Sequence, residues 1–224
     1  MNMHHTLIQA RVHLGHHKSL THPLMKKYIY GRRREKEIID LRHTLFGLQL
    51  AVEVIEEVLR NGGSVLFHVE SEGLLQLMDK LTPDHPQLLI QKGSWMGGLL
   101  TNWDQLQSYA RSVQGSAWDQ LPPAKQKRVR KKFAPFLKLK KEQSPLPSLL
   151  VTFRAEGSAD ILEEAWKVKI PTVGVLDSNA NPEKVTYPIP GSDDDLKALF
   201  LYAQVLLSPF QKLENYYEIK EVLL

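Results

Sequence analysis

Ile170-Pro171-Thr172-Val173-Gly174-Val175-Leu176-Asp177 decides the fold. It is an apolar run of strand length, its Ile-Pro pair is typical of the start of a strand in a parallel sheet, and it empties into the polar loop Ser178–Pro182. A sheet covered by helices on both faces needs near-continuous apolar strands of this kind. Val65–Val69, Leu88–Ile90 and Leu149–Phe153 repeat the pattern. Between them, apolar residues recur at helical spacing. Leu45, Leu48, Val52, Ile55 and Leu59 mark one helix, Leu74, Leu77, Met78 and Leu81 a second, and Ile161, Leu162, Ala165 and Trp166 a third that Ser158 should cap. A fourth buries Leu196, Leu199, Phe200, Ala203, Leu206 and Leu207, opens on a Ser192/Asp195 capping box and should end at Ser208-Pro209. Strands alternating with helices predict an α/β fold with a parallel sheet.

One stretch interrupts the alternation. Lys125–Lys141, KQKRVRKKFAPFLKLKK, holds nine basic residues and no acid. Burying even one unpaired ammonium costs several kcal/mol, so this run must face solvent or a polyanion. It lies within Asp104–Pro147, where Leu121-Pro122-Pro123 and Pro135 break helical segments and only a thin apolar stripe is present. The expected organisation is a body of residues 1–103 and 148–224, carrying a helical-hairpin insert over 104–147.

A second basic patch lies near the N-terminus, where residues 11–36 carry eight basic residues against Glu35 alone. The two patches hold 17 of the 29 Lys and Arg and 1 of the 25 acids, although the net charge is only +4. A molecule polarised in this way presents its positive face to a polyanion, most commonly nucleic acid. Within the N-terminal patch, Tyr28–Gly31 and Ile38–Leu41 read as short strands joined by the hairpin-like basic loop Arg32–Lys36. Three adjacent guanidiniums repel one another, which phosphates nearby would relieve.

Other chemistries find less support. There are no cysteines, so disulfides, thiolate metal sites and thiol nucleophiles are excluded. No apolar stretch approaches the ~20 residues of a membrane span. Six histidines fall between His4 and His22 with no carboxylate before Glu35, which favours solvated or phosphate-facing imidazoles over a metal site. Gly15 suggests a tight turn or a close backbone approach. Glu70-Ser71-Glu72-Gly73 follows a strand but lacks a glycine-rich fingerprint, and its acids would repel a nucleotide phosphate. Trp95 and Trp103 flank Gly97-Gly98 among apolar neighbours, which favours packing over a stacking platform for bases. Asp177 has no His, Lys or Arg within its own loop to work with, so turn formation is the expected role.

Several collinear motifs carry a family resemblance along nearly the whole chain: His13-Leu14-Gly15-His16, Pro23–Arg33, Ile38–Leu41, Trp95–Trp103, Ile170–Asn179 and Ile189–Asp194. The chain resembles the second protein of the small ribosomal subunit in its bacterial and organellar form. That family usually has a glycine where Arg11 stands. The resemblance implies a flavodoxin-like, three-layer parallel sheet with a protruding α-helical hairpin, placed on the solvent side of the subunit between rRNA of head and body. It implies no catalytic centre and no cofactor. The partners it implies are small-subunit rRNA and neighbouring ribosomal proteins, with neither membrane nor small-molecule substrate. The residues expected to bind rRNA are His16, His17, Lys18, Lys26, Lys27, Arg32, Arg33, Arg34 and Lys36 in the first patch. In the insert they are Lys125, Lys127, Arg128, Arg130, Lys131, Lys132, Lys138, Lys140 and Lys141. Divergence from the family pattern, with the short N-terminus, points to a mitochondrial ribosome, with plastid stroma or bacterial cytoplasm as alternatives. The competing readings are a nucleotide-binding α/β enzyme and a histidine-cluster metal protein.

Overall fold

A computed structural model of the chain describes residues 3–81, 85–114 and 145–222, together with Pro122, Gln126 and Phe136. The nine basic residues of 125–141 named above lie outside the described residues, as does most of the hairpin expected over 104–147.

The body is built on five parallel strands: β4 (Val65–Val69), β5 (Leu88–Lys92), β6 (Leu149–Thr152), β7 (Thr172–Leu176) and β8 (Tyr187–Pro190). Their order across the sheet is β5-β4-β6-β7-β8, with every neighbouring pair parallel. Counted from the first of them this is 2-1-3-4-5, the flavodoxin-like order. Side chains along a strand alternate between faces, and the apolar strands make a core on each. Val65, Phe67, Val69, Leu149, Val151, Val173 and Val175 meet α2 (Leu41–Arg60), α3 (Glu72–Leu81) and α6 (Leu196–Val222). Leu66, Leu89 and Leu150 face the other way, toward α4 (Trp103–Gln114) and α5 (Ala159–Lys167). Phe136 of the insert packs on this second face, its ring 4.5 Å from that of Trp103.

Ahead of the sheet, α1 (Met3–Gln9) leads into an antiparallel three-stranded ribbon of β1 (Leu14–His17), β2 (Ile29–Arg33) and β3 (Lys36–Ile39), in the order β1-β3-β2. The strands run further into the basic stretch than the sequence suggested, leaving a two-residue turn of Arg34 and Glu35, both with positive φ. Leu41 opens α2 instead of closing a strand, because the Asp40 carboxylate accepts the Arg42 N–H and caps the helix.

Four further expectations need correction. Trp166 lies on the solvent side of α5, 80% exposed, because Ile161, Leu162 and Ala165 already fill the inward stripe. Ser158 makes no cap bond; its hydroxyl donates to the Arg154 carbonyl. Asp195, and not Ser192, caps α6, its carboxylate accepting the Lys197 N–H. Pro209 does not end α6. The Val205 carbonyl that proline leaves without its helical donor is taken by the Ser208 hydroxyl at 2.8 Å. β8 carries no clear strand signal in the sequence, because its Pro188 and Pro190 disfavour a central strand, but they suit this edge position.

Candidate nucleic-acid interface and an adjoining carboxylate–histidine cluster

The ribbon presents its basic residues outward. His17, Lys18, Lys26, Lys27 and Arg32 to Arg34 are exposed, and so is Lys36. They do not all keep their charge available. Arg32 donates to the buried Glu37 carboxylate at 2.8 Å and is held there as a guanidinium, while Lys18 pairs with Glu35. Among the described residues Lys26, Lys27, Arg33, Arg34 and Lys36 form no ion pair, and Lys27 sits 4.9 Å from the centre of the Tyr28 ring. The Arg34–Glu35 turn pushes these cations to the ribbon tip, while the 3₁₀ turn Pro23–Tyr28 carries Lys26 and Lys27.

His16 behaves differently from its basic neighbours. It is half-buried, with Nδ1 3.1 Å from Asp177 Oδ1 and Nε2 3.2 Å from Asp194 Oδ2. The partner Asp177 lacked within its own loop thus comes from β1, far away in sequence. Gly15 makes the approach close: a Cβ there would lie 3.0 Å from Ser178 Oγ and 3.2 Å from the Glu37 carbonyl oxygen. Backbone bonds then stitch the segments together, His16 N–H to Ser178 Oγ, His22 N–H to the Ser178 carbonyl and Ser192 N–H to the Val12 carbonyl. Just before β1, Arg11 takes a left-handed φ of 61°, which is where the family resemblance expects glycine.

The electrostatics of this corner are strongly perturbed. Burial lowers the His16 pKa, but the Asp177, Asp194 and Asp193 carboxylates more than reverse this and leave it above the ordinary histidine value. Asp193 is pushed up to about 7, first by burial and then by the Asp177 charge, with Arg154 opposing. Tyr202, fully buried, is driven well above the usual phenol range by desolvation. Its hydroxyl reaches the space a Cβ at Gly191 would fill, only 2.1 Å away. The other N-terminal histidines go elsewhere: His17 and His22 cap 3₁₀ turns through their side chains, and His13 is lowered by burial.

The crevice at the carboxyl end of the sheet, where the strand order reverses beside β4 and β6, is where α/β enzymes hold ligands. Here it is a cavity of about 190 Å³, lined in part by Glu70, Ser71, Asp193 and Asp194. That is below the ~300 Å³ at which ligand pockets begin, and its carboxylates repel phosphate.

The Trp95–Trp103 motif resolves into packing. Trp103 is buried. The Glu164 carboxylate accepts three N–H groups, from Trp95 Nε1 at 3.1 Å, Gly98 at 2.6 Å and Leu100 at 3.1 Å. Nothing in the sequence near Glu164 marked it for this role.

Residues 7–212 match the family model described as Ribosomal protein S2. The chain is 34% identical over 209 residues to small ribosomal subunit protein uS2 of Gluconobacter oxydans, covering 89% of this chain and 78% of the relative. It is also 34% identical to the protein of that name from Acidiphilium cryptum, over 89% and 81% of the two chains. The Treponema pallidum uS2 protein is 30% identical over 224 residues, covering 96% of this chain and 77% of its own. The sheet order, the motifs along β1, β7 and the loop before α6, and these likenesses agree: the chain belongs to the ribosomal protein S2 family.

Proposed function

We propose that this chain is a structural component of a small ribosomal subunit that holds rRNA phosphates on its N-terminal ribbon and on its basic insert. Membership in the ribosomal protein S2 family makes it a structural protein and not an enzyme. The observation that carries the RNA reading is the set of exposed cations on the ribbon, Lys26, Lys27, Arg33, Arg34 and Lys36, unpaired among the described residues. Cations that rigid backbone holds apart from internal carboxylates are suited to a phosphate array whose spacing is also fixed. His17, Lys18 and Arg32 flank the same surface. His16, turned toward Asp177 and Asp194, contributes least. The basic residues from Lys125 to Lys141 form the second contact, reading the shape of duplex RNA and not its sequence. Neighbouring ribosomal proteins cover part of the remaining surface.

The proposed compartment is the mitochondrial matrix, supported by divergence from the family pattern such as Arg11 where the family usually has glycine. The bacterial relatives support the bacterial cytoplasm as the alternative, and fractionation of the source cells decides between them. For RNA binding the test is charge reversal. Arg33→Glu with Arg34→Glu should lower incorporation into the subunit while the free protein stays folded by circular dichroism. Normal incorporation of that variant overturns the assignment of this surface.

A further inference from the structure

We propose that the groove between α5 and the 3₁₀ turn Pro182–Lys184 takes an unpaired guanine base of RNA, stacked on Trp166. The groove encloses about 310 Å³ and is lined by Ala159, Leu162, Glu163, Trp166, Glu183 and Lys184. A stacking platform needs an open aromatic face. Trp166 is 80% exposed, and Ala159 and Leu162 give the groove an apolar floor. Trp103 is buried and Trp95 is tied to Glu164, so among the described residues Trp166 is the indole open to a base. Both walls are fixed. At the end of α5 the Val168, Lys169 and Ile170 N–H groups donate to the Glu164, Trp166 and Ala165 carbonyls. Across the groove Asn181 Oδ1 accepts the Glu183 N–H at 3.0 Å and starts the turn. A site formed in advance loses less to ordering when its ligand arrives.

The rim selects the base. Glu163 is already paired, with Lys167 at 2.9 Å. Glu183 and Lys184 are exposed and form no ion pair among the described residues. The pairing edge of guanine carries two neighbouring donors, N1–H and the N2 amino group, beside the O6 acceptor. A carboxylate next to an ammonium answers that pattern, Glu183 accepting from the donors and Lys184 donating to O6. Each of the other three bases offers a carboxylate a single donor group on this edge.

The groove also adjoins the basic ribbon. Leu162 of its floor shares a buried cluster with Met25 and Val185, and Tyr28 packs against that cluster. Met25 and Tyr28 belong to the same 3₁₀ turn as the exposed Lys26 and Lys27. A strand held by its phosphates at those lysines therefore lies one small cluster away from Trp166. Lys169, just past α5, adds an exposed cation at a φ of 59°, a left-handed backbone that favours glycine. The inference rests on the reading of the ribbon as an RNA surface, and deepens it by naming a base contact beside the phosphate contacts.

The test uses the full-length chain and two dye-labelled RNAs, an oligouridine and the same strand with one central guanosine, with affinities read by fluorescence anisotropy at low salt. The wild type should bind the guanosine-bearing strand roughly tenfold more tightly, the scale of one stacked base. Trp166→Ala and Glu183→Gln should each bring the two affinities together, while Trp166→Phe, which keeps a ring, should retain most of the preference. Both positions are exposed, so these variants leave the core intact. Arg33→Glu with Arg34→Glu should weaken both strands equally and leave the preference unchanged. Equal wild-type affinity for the two strands, lost in that double variant, overturns the groove and spares the ribbon; no binding of either strand overturns both. A guanosine preference that survives Trp166→Ala also overturns the proposal. If that variant then enters the subunit poorly, the face is a protein contact instead.

Discussion

Glu164 shows what a single side chain can hold in this protein. Its carboxylate gathers the indole N–H of Trp95 and the backbone N–H groups of Gly98 and Leu100, and so fixes the loop leading into α4. Glu164→Ala leaves three donors without their acceptor, two of them on main chain that cannot turn away. At ~1–3 kcal/mol for each unsatisfied buried group, the loss should be about 3 kcal/mol or more by urea denaturation, with Glu164→Gln costing less because one oxygen remains. A loss under ~1 kcal/mol for the alanine variant would show that the loop is held by packing alone. His68 offers a pH test at the same scale. Burial lowers its pKa, with the Gly93 carbonyl accepting from Nε2 at 3.0 Å and Glu70 in partial opposition. The unfolded chain therefore takes up this proton first. Stability owed to His68 is complete above the ordinary value of 6.5 and falls as pH drops, until the folded-state pKa is reached. Unfolding free energies of wild type and His68→Gln, measured from pH 7.5 to 5, should diverge in slope below pH 6.5, the wild type falling more steeply. Parallel curves would contradict this.

At the scale of elements, much of the fold was legible and the exceptions have physical causes. Val65–Val69 and Leu149–Thr152 declared themselves because both faces of each strand are buried, so the sequence is apolar without a break. The edge strand β8 carries two prolines and hid among turn signals. Pro209 looked like a stop because the Ser208 hydroxyl that compensates for it is visible only once the helix is built. His16 and Asp177 are 161 positions apart, and no local pattern relates them; the glycine between Leu14 and His16 was the one local hint of close approach. The ribbon turn supports a direct experiment. Arg34 and Glu35 both occupy left-handed backbone, which costs L-residues roughly 1–2 kcal/mol each and which Asn-Gly adopts readily. Replacing the pair by Asn-Gly should raise stability by about 1 kcal/mol or more by urea denaturation, whereas Arg34→Asn alone, which leaves Glu35 paired with Lys18, should weaken RNA binding because one exposed guanidinium is lost. Unchanged RNA binding by Arg34→Asn would mean that Arg34 does not touch phosphate.

At the scale of the whole molecule, a parallel α/β body carries a cationic ribbon and a basic insert. The body supplies distance and orientation: its crevice is small and acidic, unlike that of an enzyme with the same strand order. The ribbon supplies exposed charge, and the sequence of the insert adds nine further basic residues over Lys125–Lys141. A protein holding about six phosphates releases their counterions, so its affinity should fall with a log–log salt slope near −5. Arg33→Glu with Arg34→Glu should flatten that slope by about 2, whereas a surface change far from the ribbon, such as Glu57→Gln on α2, should leave it unchanged. Sedimentation of native ribosomal particles through sucrose at rising salt tests whether the chain is held in the small subunit by phosphate contacts. This chain should travel with the small subunit at low salt and move to the free-protein fraction as salt rises, with the Arg33→Glu/Arg34→Glu variant leaving first. Recovery in the free fraction at low salt, or a variant that stays bound as long as the wild type, would contradict it.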